Sequence, residues 1–219
     1  MLARCDLVLP CKDEAPALPA LLARVPADVR VIVVDNGSRD DTAAVARDAG
    51  ATVVHEPVPG YGAAVHAGVL AATAELVGVM DGDGSMNPVD LLPMLDTVEQ
   101  GRATMATGRR RPTSRAVLPW HAKAGNGAVL LWLRWRTGLP VHDIAPMRVC
   151  RRADLLALDV RDRRFGYPVE LLVKAQAAGW TLVEHDIAYA PRAAGTRSKV
   201  SGSVRGTLRT ARDFAKVLS

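Results

Sequence analysis

This sequence predicts a single α/β domain: a mostly parallel, twisted sheet flanked by helices. Three observations carry that prediction. Short apolar runs alternate with helix-spaced segments through the first half of the chain, the rhythm of successive β-α-β units. Two of those runs stop on carboxylates: Val31-Ile32-Val33-Val34 on Asp35, and Leu76-Val77-Gly78-Val79-Met80 on Asp81-Gly82-Asp83. Of the 219 residues, 49% are apolar, enough to bury one sizeable core.

Strands are expected at Leu7 to Leu9, Val29 to Val34, Thr52 to His55, Leu76 to Met80 and Thr104 to Thr107, where β-branched and apolar residues cluster. Helical spacing marks Ala17 to Val25, Asp41 to Ala49, Ala63 to Ala72 and Val89 to Gln100. Asp40-Asp41-Thr42 and Asn87-Pro88 read as helix starts, with a capping side chain ahead of the first turn and, in the second, proline at the first helical position. Past Gly108 the rhythm weakens. A basic loop from Arg109 to Arg115 precedes a tryptophan-rich helix from Trp120 to Arg136 and a strand near Met147 to Cys150. A helix from Pro168 to Ala178, a strand from Thr181 to Ala188 and a basic tail complete the chain.

The net charge of +5 suits an anionic, phosphate-bearing ligand. Nucleic acid is not the expected partner: aromatic residues are 4% of the chain, too few to set base-stacking rings in a basic groove. Cys5, Cys11 and Cys150 are an odd number without metal-ligand spacing, so free thiols in a reducing compartment, the cytoplasm, are expected. Arg4, Asp6 and Lys12 interrupt any leader-like apolar run, and no stretch approaches the roughly 20 apolar residues of a bilayer span.

Chemistry concentrates at the acidic strand ends. In an extended segment the side chains of Asp81 and Asp83 point the same way, so the two can share one hard divalent cation. Ligands of open α/β sheets gather beyond the strand carboxyl ends, which brings Asp35 to the same crevice. Each site also has a plainer reading. Asp35 before Asn-Gly-Ser can simply cap a helix or close a turn, and Asp-Gly-Asp alone is a common turn. Gly60-Tyr61-Gly62-Ala63-Ala64 lacks the third glycine of a dinucleotide fingerprint; Gly60 and Gly62 either form a phosphate-facing helix start or serve the turn alone. Arg109, Arg110 and Arg111 are either a solvated basic run or, at Arg109, a phosphate clamp just past a strand end.

Four spaced motifs in order, Val8-Leu9-Pro10-Cys11-Lys12-Asp13-Glu14, Val33 to Thr42, Gly60 to Ala64 and Met80 to Asp83, resemble those of family 2 glycosyltransferases with the Rossmann-like GT-A fold. Asp143, Arg148, Glu170 and Arg192 to Lys199 are similar to the dolichyl-phosphate mannose and polyprenyl-phosphate sugar synthase branch. The resemblance implies a GT-A domain over residues 1–199, with a donor half at 1–110 and an acceptor half at 111–199, followed by a basic amphipathic helix at 200–219. It implies that Pro10, Glu14 and Asp35 hold the nucleoside, that Asp81 faces the ribose or the metal, and that Asp83 binds Mg2+ or Mn2+ at the donor diphosphate. Where the branch has a further metal contact two residues on, this chain has Ser85, a weaker ligand. Glu170 would organise the acceptor side, and Arg192 and Lys199 would sit in a loop closing over the donor phosphates.

The implied reaction is inverting transfer from a nucleoside-diphosphate sugar, of GDP-mannose or UDP-glucose type, to a polyprenyl or dolichyl phosphate. If the acceptor is a hydroxyl, a general base is needed; Asp143 is the candidate by resemblance and His142 the alternative. A lipid phosphate, with a second pKa of about 6, needs no base but needs cations such as Arg115, Lys123, Arg192, Arg197 and Lys199. A non-catalytic nucleotide-sugar-binding subunit of a membrane complex is the reading from another class. The Trp120 to Arg136 helix and the tail from Val200 to Leu218 each suit either a headgroup boundary, hence peripheral contact at the inner face of the membrane, or packing on the domain itself.

Overall fold

In the computed structural model, residues 3–114, 117, 120–139 and 141–196 are described, with the side chains of 120–126 left aside. The strands are β1 (Cys5–Cys11), β2 (Val29–Asp35), β3 (Thr52–His55), β4 (Leu76–Val79), β5 (Met105–Pro112), β6 (Arg148–Arg151) and β7 (Leu182–Tyr189). They form one sheet in the order β3-β2-β1-β4-β6-β5-β7. Only β6 runs against its neighbours; all other pairings are parallel. The helices are α1 (Leu18–Leu22), α2 (Thr42–Asp48), α3 (Tyr61–Ala71), α4 (Leu91–Glu99), α5 (Trp120–Thr137), α6 (Arg152–Ala157) and α7 (Tyr167–Ala177). Asn87 accepts from the Val89 N–H over a single 3-10 turn opened by Pro88, the start that the Asn-Pro pair predicts.

Strand alternation builds two cores, one on each face. Val8, Ile32, Val34, Val77 and Val79 pack under α3, α5 and α7. Leu7, Leu9, Val33 and Leu76 pack under α1, α2 and α4. Asp6 is fully buried near the start of β1, and its carboxylate accepts from Arg30 through two 2.7 Å contacts and from the Thr73 and Ala74 N–H groups. Burial alone would raise its pKa; these bonds outweigh burial and hold it below the ordinary carboxylate value. The three cysteines are free and buried, and burial pushes Cys5 and Cys150 up to about 12.

One expectation is corrected. The basic run after Gly108 is not a loop: β5 continues through Arg109, Arg110 and Arg111 to Pro112, paired residue for residue with Gly108↔His185 through Pro112↔Tyr189 on β7. Charged residues tolerate a strand when one face is wet, and composition hides that alternation. The short α6 carries only two leucines in six residues, too brief a run to show helical spacing. Lys199, Arg197, Arg115, the Lys123 side chain and the 200–219 tail lie outside the described residues. Among the described residues no helix is long and apolar enough to cross a membrane.

Candidate active site

The carboxyl ends of β1, β2 and β4 converge, and a buried thiol registers the convergence. Cys11 at the end of β1 is pushed well above its ordinary pKa by burial and then by Glu14, Asp83, Asp81 and Asp35. Glycine 82 lets the acidic tip approach: a Cβ there would lie 2.3 Å from Cys11 Sγ.

The loops after β1 and β2 are stitched together. Asp13, held at φ 52°, donates its N–H to Ser38 Oγ and accepts from the Arg39 N–H at 2.7 Å. Glu14 is buried and its N–H donates to Thr42 Oγ1 at 2.9 Å, while Asp40 accepts from the Ala15 and Thr42 N–H groups. Asp40, rather than Asp41, thus serves the start of α2. Asp35 is buried; its Oδ1 accepts from the Ser38 N–H at 3.0 Å and its Oδ2 lies 3.2 Å from His55 Nδ1. Pro10 is part-buried within β1 beside Val34. Asn36 was not foreseen: its side chain bonds Glu56 O, Val58 O and the Gly60 N–H, fixing the loop before α3.

Regular strand ends at Val79, so Asp81 and Asp83 sit in the bends that follow rather than in extended chain. They remain electrostatically close. Burial and then the charge of Asp83 push the Asp81 carboxyl up to about 6, against the pull of Arg192, Arg110 and Arg148. Asp83 is buried, and its Oδ1 accepts from the Ser85 N–H at 2.9 Å and Ser85 Oγ at 2.6 Å. Ser85 therefore orients Asp83. The other oxygen, Oδ2, is 2.8 Å from Arg192 Nη1 but is not aligned for a hydrogen bond, leaving a buried oxygen facing positive charge without a directed donor. Arg192 reaches it because the segment after β7 lies on the acidic loop: Ala190 N–H bonds Ser85 O and Ala193 N–H bonds Asp83 O.

Among the described residues no three His, Cys, Asp or Glu side chains form a ready metal cage. The pair nonetheless fits Mg2+ or Mn2+, which take one or two carboxylates and complete their shell with water and substrate phosphates. A buried carboxylate oxygen lacking a hydrogen bond, with a guanidinium standing where positive charge is required, is the observation on which that fit rests.

The arginines of β5 and the residues His142 and Asp143 are engaged in ion pairs. Arg109 pairs with Asp186 at 2.6 Å and Arg111 with the same carboxylate at 2.8 Å, on the wet side of β5. Strand alternation turns Arg110 the other way. Its guanidinium lies 5.3 Å from the Tyr189 ring centroid and grips Asp143 through Nε at 2.8 Å and Nη2 at 2.5 Å. Burial would lower the Arg110 pKa, but Asp143, Tyr189 and Asp81 outweigh that and keep it charged. Asp143 also accepts from the Arg110 and Ile144 N–H groups, so both oxygens of this expected base are occupied. His142 is likewise engaged, with Nδ1 2.6 Å from Glu184 Oε2.

Gly60 and Gly62 lie against the loop at 162–164. A Cβ at Gly60 would lie 2.1 Å from Arg163 O, and one at Gly62 2.3 Å from Asp162 O. The N–H groups of Gly62 and Ala63 donate to Arg164 O and Arg163 O, so the chain's own carbonyls occupy that helix start. Glu170 organises the covering loop by accepting from the Arg161 and Asp162 N–H groups.

Behind the site Arg148 is buried between Tyr61 and Tyr167, 5.8 and 5.4 Å from their ring centroids. It donates to Tyr61 Oη at 3.1 Å and Ala145 O at 3.0 Å, bracing the turn at Ala145 (φ 53°) that carries Asp143.

Sheet order, acidic tip and flanking arginines define a GT-A glycosyltransferase. Residues 6–156 match the glycosyl transferase family 2 model, and the chain belongs to that family. It is 57% identical over 214 residues to an uncharacterised glycosyltransferase of Mycobacterium tuberculosis, covering 97% of each chain. It is 32% identical to a polyprenol monophosphomannose synthase of Mycolicibacterium smegmatis, over 90% of this chain and 81% of that one. A dolichyl-phosphate hexose transferase of Haloferax volcanii is 31% identical over 87% and 85%. These relatives support the polyprenyl-phosphate sugar synthase branch. Among solved structures, glucosyl-3-phosphoglycerate synthase from Mycobacterium tuberculosis, in complex with Mn2+, UDP and glucosyl-3-phosphoglycerate, superposes with a TM-score of 0.76 at 19% identity, covering 99% of this chain and 78% of that one. A likeness at that identity is one of fold.

Proposed function

We propose that this glycosyltransferase moves a sugar, with inversion, from a nucleoside-diphosphate sugar to a polyprenyl phosphate. One observation carries the acceptor choice: Arg110, not a free base, faces the acidic corner, and Asp143 is committed to holding it. A phosphate acceptor is its own nucleophile near neutral pH and needs cations more than a base. The relatives that act on polyprenol and dolichyl phosphates support the same choice.

In this reading Glu14 and Asp35 accept hydrogen bonds from the nucleoside, with Pro10 beside them. Asp81 and Asp83 hold Mg2+ or Mn2+ at the donor diphosphate, where the ion, when bound, neutralises charge on the departing nucleoside diphosphate. Arg192 screens Asp83 before the donor arrives and the diphosphate after it. Arg110, oriented by Asp143, draws the acceptor phosphate against the anomeric carbon. A phosphate oxygen forms the new C–O bond as the bond to the diphosphate breaks, and the electron pair leaves with the nucleoside diphosphate. Arg109 is left to its surface pairing with Asp186. Lys199 would extend the cationic side.

A lipid acceptor calls for contact with a membrane surface. Leu131 and Trp135 are 70% and 80% exposed on α5, beside exposed Arg134 and Arg136, a combination suited to an anionic headgroup layer. Cytoplasmic placement at the inner face accords with the free thiols.

The test is a panel of radiolabelled GDP- and UDP-sugars with Mg2+ or Mn2+, offered polyprenyl phosphate or soluble hydroxyl acceptors. Metal-dependent label in the organic phase is expected, with inverted anomeric configuration by NMR. Label on soluble glycosides would favour a hydroxyl acceptor, and nucleotide-sugar binding without release of nucleoside diphosphate would favour a non-catalytic subunit.

A further inference from the structure

We propose that His55 is a positioning residue that sets the Asp35 carboxylate for the nucleobase and is itself fixed by Arg47; this rests on the reading of Asp35 as a nucleoside contact. The parallel register places Asp35 and His55 side by side at the carboxyl ends of β2 and β3. Nδ1 of His55 is 3.2 Å from Asp35 Oδ2, and its Nε2 is 2.8 Å from Arg47 Nη2.

The chemistry of the three groups fixes the proton. Arginine only donates, so Nε2 must accept; the ring is then neutral with its proton on Nδ1, and Nδ1 donates to Asp35. The Asp35 carboxylate is thus held from two sides, by the Ser38 N–H on Oδ1 and by His55 on Oδ2. Each oxygen keeps a lone pair, so a carboxylate held in this way can accept from a donor on the nucleobase edge, whether a ring N–H or an exocyclic amine. The surrounding backbone does not depend on the imidazole. Glu56 N–H bonds Asp35 O, and Asn36 bonds the carbonyls of Glu56 and Val58. His55 is exposed while Asp35 is buried, so the ring stands at the mouth of the site and can be replaced without opening the core.

The experiment compares wild type, His55→Leu, His55→Gln and Arg47→Ala by calorimetric titration with UDP, GDP and inorganic pyrophosphate in the presence of Mn2+, together with donor KM and kcat. Loss of one orienting hydrogen bond is expected to weaken nucleoside diphosphate binding roughly three- to tenfold in His55→Leu. Pyrophosphate affinity should hold, and kcat should stay within about twofold while KM rises. His55→Gln, which still presents a donor, should recover most of the affinity, and Arg47→Ala should show a smaller loss in the same direction. Unchanged nucleotide affinity in His55→Leu, or an equal loss for pyrophosphate, would overturn the proposal. Absence of nucleotide binding by the wild type would instead remove the nucleoside reading of Asp35, and the proposal with it.

Discussion

Asp81 carries two burdens, burial and the nearby charge of Asp83, and together they raise its carboxyl to about 6. An acid whose folded pKa exceeds its unfolded value binds the extra proton in the folded state. Stability is therefore greatest below the unfolded pKa of about 3.9 and declines as pH climbs toward 6. Asp81→Asn should then stabilise the metal-free protein more at pH 8 than at pH 5, read by thermal unfolding in EDTA, while transfer falls by at least about a hundredfold. The same stability gain at both pH values would contradict this account of the corner. At this scale the sequence was legible where chemistry is local. Asp35, Glu14, Asp81 and Asp83 converge as their strand ends imply, and Arg192 reaches Asp83. Ser85, Asn36 and His55 were illegible as partners because their roles depend on loop geometry and strand register, not on residue type or spacing.

β5 decides which arginine matters. Its alternation sends Arg109 and Arg111 to Asp186 and turns Arg110 inward to Asp143 and Tyr189. Arg110→Ala should lower kcat/KM by about a hundredfold or more, the loss expected for a charge-assisted contact to a reacting phosphate, whereas Arg109→Ala should stay within about threefold. Comparable losses in both would contradict the strand assignment of roles. The sequence offered three consecutive arginines and no means of telling faces apart, because the apolar alternation that reveals a strand is missing there. Helix α3 teaches the opposite lesson. Its glycines invited a phosphate, but the loop at 162–164 fills the space with its own carbonyls. Gly62→Ala places a Cβ 2.3 Å from Asp162 O and should destabilise the protein by about 1–3 kcal/mol in urea unfolding. A neutral substitution would mean that this contact is not close-packed.

Across the whole molecule, the parallel pairing of β1 to β4 and the acidic tip follow from the β-α-β rhythm, and nearly every expected element is present among the described residues within a few residues of its predicted ends. The antiparallel insertion of β6 between β4 and β5 was not legible, since pairing between segments distant in sequence leaves no local signal. That insertion matters, because it brings Arg148 and the Asp143 turn against the strand that ends at the acidic corner. The exposed Leu131 and Trp135 make a surface prediction: replacing both by Asp should abolish sedimentation with anionic vesicles and leave nucleotide binding unchanged. Retained sedimentation would place the membrane contact elsewhere.

If Asp81 and Asp83 grip a divalent ion at the donor diphosphate, titration of Mn2+ followed by paramagnetic resonance, with and without nucleoside diphosphate, will show it. One tightly bound ion per chain is expected, requiring the nucleotide and disappearing in Asp83→Asn. Nucleotide binding of equal strength in EDTA, or Mn2+ binding that survives substitution of both aspartates, would contradict it.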